Sequence, residues 1–234
     1  MAQSLTGSRV LVVGGTSGIG LAVAAMAARR GAQVTVAGRD QAKLDAAVQE
    51  VGAGCTGRTM DTTDDASVEE FFASAEPFDH VVVTAAKPGG GPVRDLPMEE
   101  ALQHFSSKFW GSYRVARLAQ VRPGGSITFV SGLAGRRPRP QRVVVGAACA
   151  ALESMTRGLA LELAPVRVNC VSPGITDTPL LRAGFPDGID HLAANSPTGR
   201  VGQPDEIAMQ ILACAENGFM SGSVIDLDGG RALV

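Results

Sequence analysis

Short apolar runs and longer amphipathic stretches alternate along the whole chain. Val10-Leu11-Val12-Val13, Val34-Thr35-Val36-Ala37, Thr56 to Met60, His80-Val81-Val82-Val83-Thr84, Ser126 to Ser131, Arg167 to Val171 and Val224 to Leu227 have strand length and strand composition. Between them the spacing predicts helices over Leu21–Arg30, from an Asp40 cap to about Val51 with Gly52 past its end, and over Ser67–Ala75 behind Asp64 or Asp65. A long helix is predicted over Met98–Val121, another over Val143–Leu163, and a last one opened by Pro204 and running to Glu216. Such alternation means βαβ crossovers, and it predicts an α/β fold with a doubly wound parallel sheet of about seven strands in one domain over 1–234. Residues 178–203 have no clean period and carry several glycines and prolines. They read as a mobile cover over a site, or as an irregular surface loop.

The first strand runs into Gly14-Gly15-Thr16-Ser17-Gly18-Ile19-Gly20 and then into a helix former. A strand, tight turn and helix of this kind offers a helix N-terminus to a phosphate. Gly14 permits the turn, Gly18 admits a pyrophosphate to the backbone, and Gly20 lets helix and strand pack closely. The spacing is G-x-x-x-G-x-G. The alternative, a bare tight connection, loses weight once the second strand and helix follow in order. The pattern therefore predicts a Rossmann-type dinucleotide site.

Composition narrows the setting. A chain of 234 residues can bury a large core. No run of eighteen apolar residues is present, so no membrane span is expected, and the polar start carries no export signal. Cys55, Cys149, Cys170 and Cys214 lack metal-site or disulfide spacing, which fits small core residues of a reducing cytoplasm and predicts no metal centre. A net charge of −2 gives no field suited to nucleic acid.

Taken with their order, these motifs resemble the short-chain dehydrogenase/reductase family over nearly the whole chain. Gly14-x-x-x-Gly18-x-Gly20 looks like its cofactor turn, and Asp61 with Thr62 like the segment that holds the adenine. Ala85-Ala86 follows the fourth strand where the family carries N-N-A-G. Pro173-Gly174-Ile175 with Thr178 resembles the segment that receives the nicotinamide end. Cofactor choice follows from charge. A carboxylate closing the second strand would repel a 2′-phosphate, but Gly38 stands there and Arg39 follows. An arginine fork matches a phosphate, so NADP(H) is expected over NAD(H) unless Arg39 is only a solvated loop charge.

The resemblance implies an asparagine, a serine, and a tyrosine followed four residues later by a lysine as the catalytic set. An ungapped reading anchored on Gly135 and Ala150-Ala151-Leu152-Glu153-Ser154 puts Val145 at the tyrosine, Cys149 at the lysine, Gly132 at the serine and Lys108 at the asparagine. The only tyrosine, Tyr113, lies on the predicted helix before the fifth strand. Valine relays no proton, so the family mechanism is not carried over, although hydride chemistry belongs to the cofactor.

Three residues are candidate substitutes. Lys108 reads as a replacement cation or acid, or as a surface or subunit-contact lysine. His104, one helical turn earlier, reads as a proton donor or a partly buried helix residue, and Ser131 offers a hydroxyl if the strand end shifts. Cys149, among alanines, reads as inert. Arg136 to Arg142 holds four arginines in seven residues, which fits an anionic small-molecule substrate or a solvated or subunit-contact loop. The expected activity is an NADP(H)-dependent oxidoreductase with a non-standard site. The alternatives are an inactive nucleotide-binding sensor or partner subunit, and a non-redox lyase or cyclase. The predicted helices over Met98–Val121 and Val143–Leu163, the second with Ala147, Ala148, Ala150 and Ala151, resemble those that pair between subunits in the family and imply a homodimer or homotetramer.

Overall fold

In the computed structural model, which describes residues 4–87, 89–185 and 187–234, β1 (Arg9–Val13) lies inside a parallel sheet of seven strands. It pairs with β2 (Gln33–Gly38) on one side and β4 (Phe78–Val83) on the other. Beyond β2 lies β3 (Cys55–Thr59), and beyond β4 come β5 (Val121–Val130), β6 (Arg167–Pro173) and β7 (Val224–Leu227). The order β3-β2-β1-β4-β5-β6-β7 reverses direction between β1 and β4. That reversal opens a crevice at the carboxyl ends of those two strands, where open α/β sheets bind ligands.

Side chains on β1 alternate between two cores. Val10 and Val12 join one layer, with α1 (Gly18–Arg29), α2 (Gln41–Val51) and α8 (Pro204–Glu216). Leu11 and Val13 join the other, with α3 (Asp65–Ala73), α5 (Gly111–Leu118) and α6 (Val143–Glu162). Strand periodicity of two makes this division, and helices on both faces bury it. Among the described residues α6 is the one helix long and apolar enough to be a candidate span, yet it packs on the sheet through Leu152 and Leu159.

Two expectations are corrected. The predicted helix over Met98–Val121 is broken into α4 (Met98–Phe105), a π-helical turn (Ser106–Trp110) and α5, which ends at Leu118. Ser107 and Ser112 hydroxyls donate to the carbonyls of His104 and Lys108, competing with the helical ladder, and Gly111 lies against Thr62 where a Cβ would come within 2.9 Å of its hydroxyl. Val121 instead opens β5 by pairing with Phe78, and Gly125 lies so close to the Asp79 carbonyl that the strand can pass only without a side chain. The segment over 178–203 also has structure of its own. It contains α7 (Pro179–Ala183) and a 3-10 turn (Asp190–Asn195), and Thr176 pairs with Gly202 across its base.

Candidate functional site

A cavity of about 640 Å³ opens at the crevice between β1 and β4. Gly14, Thr16, Ser17, Gly18, Ile19 and Gly20 line one wall. Gly14 has φ +84°, and Thr84 explains why no larger residue fits there: its hydroxyl, which donates to the Val13 and Gly14 carbonyls, lies 2.7 Å from where a Cβ would stand at Gly14 and at Gly20. The cavity wall then continues through Thr84, Ala85 and Ala86.

Helix α1 is left open at its start. In α2 and α3 the caps Asp40 and Asp64 accept from the Lys43 and Ala66 backbone N–H groups. Ser17, the cap of α1, makes no side-chain cap bond, and the first turn holds no acidic residue. Its first N–H groups and positive dipole end therefore face the cavity without a local counter-charge, which suits a pyrophosphate. These residues fit a dinucleotide.

Asp61 and Thr62 also line the cavity. One carboxylate oxygen of Asp61 is held by Thr63, through its N–H at 2.9 Å and its hydroxyl at 2.7 Å, which fixes the side chain and leaves the other oxygen for a ligand. Arg39 lines the far end, and beside it stands Lys43, a second cation that the strand-end pattern did not single out. Thr178 covers the glycine turn. A Cβ on Gly18 would come within 3.1 Å of its methyl group, while the Thr178 hydroxyl accepts from the Leu181 N–H to cap α7. Pro173, Gly174 and Ile175 are not among the residues lining this cavity, and Gly174 packs against Asp228 at the end of β6.

Two of the three candidate substitutes, Lys108 and Ser131, spend their polar groups inside the protein, and the third, His104, is buried. Lys108 donates from Nζ to the carbonyls of Val130 at 2.9 Å and Ser131 at 3.0 Å, at the end of β5. The Ser131 hydroxyl donates to the buried Glu153 carboxylate at 2.9 Å, and Arg136 binds the other oxygen at 3.2 Å. His104 is buried with Nδ1 unpartnered, under Gly89, where an added Cβ would overlap the imidazole. None of the three is among the residues lining the cavity, whose lining at this end is Val130, Lys87, Gln103, Ser106 and Ser107. The Lys87 ammonium bonds Gln103, and its N–H donates to Ser107 at 3.0 Å. Sequence reasoning missed Lys87 because it sits in a loop with no helical or strand period.

Gly132 and Cys149 meet, a Cβ at 132 standing 3.5 Å from the sulfur. Burial pushes the Cys149 thiol up despite the nearby Lys108, so it stays protonated and unreactive at neutral pH. Tyr113 is 40% exposed and stacks edge-on against Trp110, away from the cavity.

The family profile described as enoyl-(acyl carrier protein) reductase matches residues 13–232. The chain belongs to the short-chain dehydrogenase/reductase family. A short-chain dehydrogenase/reductase of Stachybotrys chlorohalonatus, ATR9, is 32% identical over 98% of this chain and 99% of its own length. The solved structure of MalC reductase/Diels-Alderase from Malbranchea aurantiaca superposes with a TM-score of 0.90 at 29% identity, covering 99% of both chains. A single-residue variant of actinorhodin polyketide ketoreductase, solved with NADPH, gives 0.91 at 27% identity over 100% of both chains. Members of the family are oxidoreductases that use nicotinamide cofactors, and this fold carries the same doubly wound sheet.

Proposed function

We propose that this chain is an NADP(H)-dependent oxidoreductase that works without the tyrosine–lysine pair of its family. The observation that carries the reading is the continuity of one cavity. It joins Arg39 and Lys43 at one end, the uncapped start of α1 in the middle, and Ala85, Ala86 and Thr178 beyond it. Two cations with no carboxylate at Gly38 favour a 2′-phosphate over a free ribose hydroxyl. The bound dinucleotide would supply the hydride.

The contact between Gly132 and Cys149 supports the register that puts them at the serine and lysine positions, with Val145 at the tyrosine. Lys108 then holds the end of β5 in place through two of its three donors. Substrates that need little acid help suit such a site: an iminium, a quinone, or a carbonyl protonated by its own neighbour. A cytoplasmic homodimer or homotetramer completes the proposal, with exposed Met98, Leu102, Trp110 and Tyr113 on α4, the π turn and α5 as the apolar face for a second copy.

Nicotinamide fluorescence titrations with NADPH and NADH test the binding, followed by NADPH turnover against a panel of imines, quinones and ketones. Uptake of neither nucleotide overturns the proposal. The bonding of Ser131 to Glu153 and the burial of His104 favour a second reading, a nucleotide-binding partner or a non-redox cyclase on the same scaffold. The Diels-Alderase half of the Malbranchea relative's name belongs to that class of chemistry. Under it NADPH binds and no member of the panel oxidises it. Lys108→Ala with unchanged binding and turnover removes Lys108 from the reaction.

A further inference from the structure

The arginine-rich loop after β5 is folded onto its surroundings, and its arginines divide into two kinds. Arg136 is neutralised, because its guanidinium pairs with Glu153 and with Asp226. Arg137, Arg139 and Arg142 are not, and they gather with Arg231 from the tail after β7. Arg137 reaches the main-chain carbonyl of Arg231, Arg142 donates to the Gly89 carbonyl at 2.5 Å, and Arg231 donates to the Leu192 carbonyl at 2.7 Å and the Ser196 hydroxyl at 3.4 Å. Carbonyls and hydroxyls orient a guanidinium without cancelling its charge.

Among the described residues, none of these four arginines pairs with a carboxylate. Asp228 acts on Arg231 through its charge alone, since one of its oxygens takes the Gly230 N–H at 2.9 Å and the other the Ala232 N–H at 2.7 Å. Arg231 is 2% exposed, and its Nε is buried with no hydrogen-bond partner. The Arg139 guanidinium makes no hydrogen bond among the described residues. Burial and then the neighbouring like charges hold Arg139 and Arg231 below the usual guanidinium range, with Asp228 opposing the shift at Arg231, while leaving them cationic at neutral pH. The four cations repel one another with only Asp228 set against them, and Arg231, inside the protein, also lacks solvation, while Arg137 and Arg139 are half-buried and Arg142 is exposed. An oxyanion among them removes both costs, and planar guanidinium forks match its geometry.

The cluster also stands in the right place. None of the four arginines is among the residues lining the cavity, but their segments follow the carboxyl ends of β5 and β7, on the same edge of the sheet. Arg142 is tied to Gly89, two residues past the cavity-lining Lys87, and Arg231 is tied to the cover through Leu192 and Ser196. Arg39 and Lys43, proposed above for the cofactor phosphate, line the cavity beside the ends of β2 and β3, on the other side of the reversal.

We propose that Arg137, Arg139, Arg142 and Arg231 form the binding site for a carboxylate or phosphate group of the substrate, remote from the carbon that receives the hydride. This rests on the oxidoreductase reading and names its substrate class. Arg231 and Arg137 are fixed by the tail and the cover, and Arg139 is the guanidinium left to close on the anion. A substrate seated there bridges the loop, the tail and the cover, so its remote charge sets the position of the reacting end.

The test uses protein saturated with NADPH, which fills the phosphate sites at α1 and Arg39. Inorganic phosphate and malonate are each titrated, read as a shift in melting temperature against sodium chloride of equal ionic strength. At least one of them saturates with the native protein, phosphate alone marking a phosphate ester and malonate alone a carboxylate. Arg139→Gln combined with Arg142→Gln weakens that binding by about tenfold or more, while the NADPH affinity read from nicotinamide fluorescence stays unchanged. Arg139→Gln alone, at a side chain with no hydrogen bond among the described residues, gives the same direction in a protein whose fold is not at stake. No saturable effect beyond chloride, or equal titration of native and variant proteins, overturns the proposal. If NADPH does not bind, the oxidoreductase reading fails separately, and the comparison of native protein with Arg139→Gln in nucleotide-free protein decides the anion site by itself.

Discussion

The Ser131 hydroxyl donates at 2.9 Å to Oε1 of Glu153, a carboxylate only 5% exposed within α6. Arg136 holds the second oxygen and ties the pair to Asp226 on β7. A hydroxyl spent in this way braces the end of β5 against α6. Ser131→Ala should therefore lower stability by about 1 kcal/mol and leave NADPH affinity and turnover unchanged. Glu153→Ala removes the anion that both partners face and should cost about 2–4 kcal/mol in urea denaturation. A large drop in turnover for Ser131→Ala, with stability intact, would return its hydroxyl to the reaction.

Gly89 and His104 share one space, since a Cβ on Gly89 would overlap the imidazole. Gly89→Ala must push the ring or the loop aside, at a cost of about 1–3 kcal/mol typical of overpacking. In a His104→Ala background that cost should vanish, giving a coupling of similar size in a double-mutant cycle. Additive effects would mean that the loop yields without disturbing His104.

Most of the fold was legible because it rests on short-range signals. The glycine turn, the Asp40 and Asp64 caps and the Pro204 start each lie within a few residues of the element they define. The break at Ser106–Trp110 was hidden because its cause is distant: Gly111 must approach Thr62 after β3, and no local period records that contact. The same holds for the site. The cofactor wall follows the chain in order and was read from spacing. The fates of Ser131, His104 and Lys108 depend on Glu153, Gly89 and the carbonyls of β5, partners 15 to 23 residues away in sequence that only the folded chain brings together. Pro173, Gly174 and Ile175 were placed by resemblance alone, and no local signal records the packing of Gly174 on Asp228.

Arg39 and Lys43 line the same end of the cavity, on the turn after β2 and the first turn of α2. Charge-assisted contacts to a phosphate are worth about 1.5–3 kcal/mol each. Arg39→Ala should weaken NADPH binding by roughly tenfold to a hundredfold and Lys43→Ala by less, with NADH binding nearly unchanged in both. The readout is the ratio of the two dissociation constants. Equal losses for NADPH and NADH would place Arg39 on the adenine or ribose and remove the basis for NADP(H) preference.

His80 gives the fold a titration of its own. Its ring is 4% exposed on β4, and Nδ1 shares a 2.9 Å hydrogen bond with the Ser126 hydroxyl. Burial, with the buried Arg167 guanidinium adding to it and Asp79 opposing, lowers its pKa from 6.5 to about 4. Above the higher value the ring is neutral in both folded and unfolded chains, so it contributes no pH dependence. As pH falls between the two values, the unfolded chain takes up a proton that the folded chain refuses, and stability is lost; below the lower value the loss levels off. The full difference is about 3 kcal/mol. Carboxylates titrate in part of the same range, so the measurement is the difference between native protein and His80→Gln, which keeps a partner for Ser126. Urea denaturation from about pH 7.5 down to about pH 4.5 should show the native protein losing stability faster than the variant. Parallel curves would mean that His80 accepts its proton inside the fold, and that Arg167 and the surrounding core do not hold it neutral.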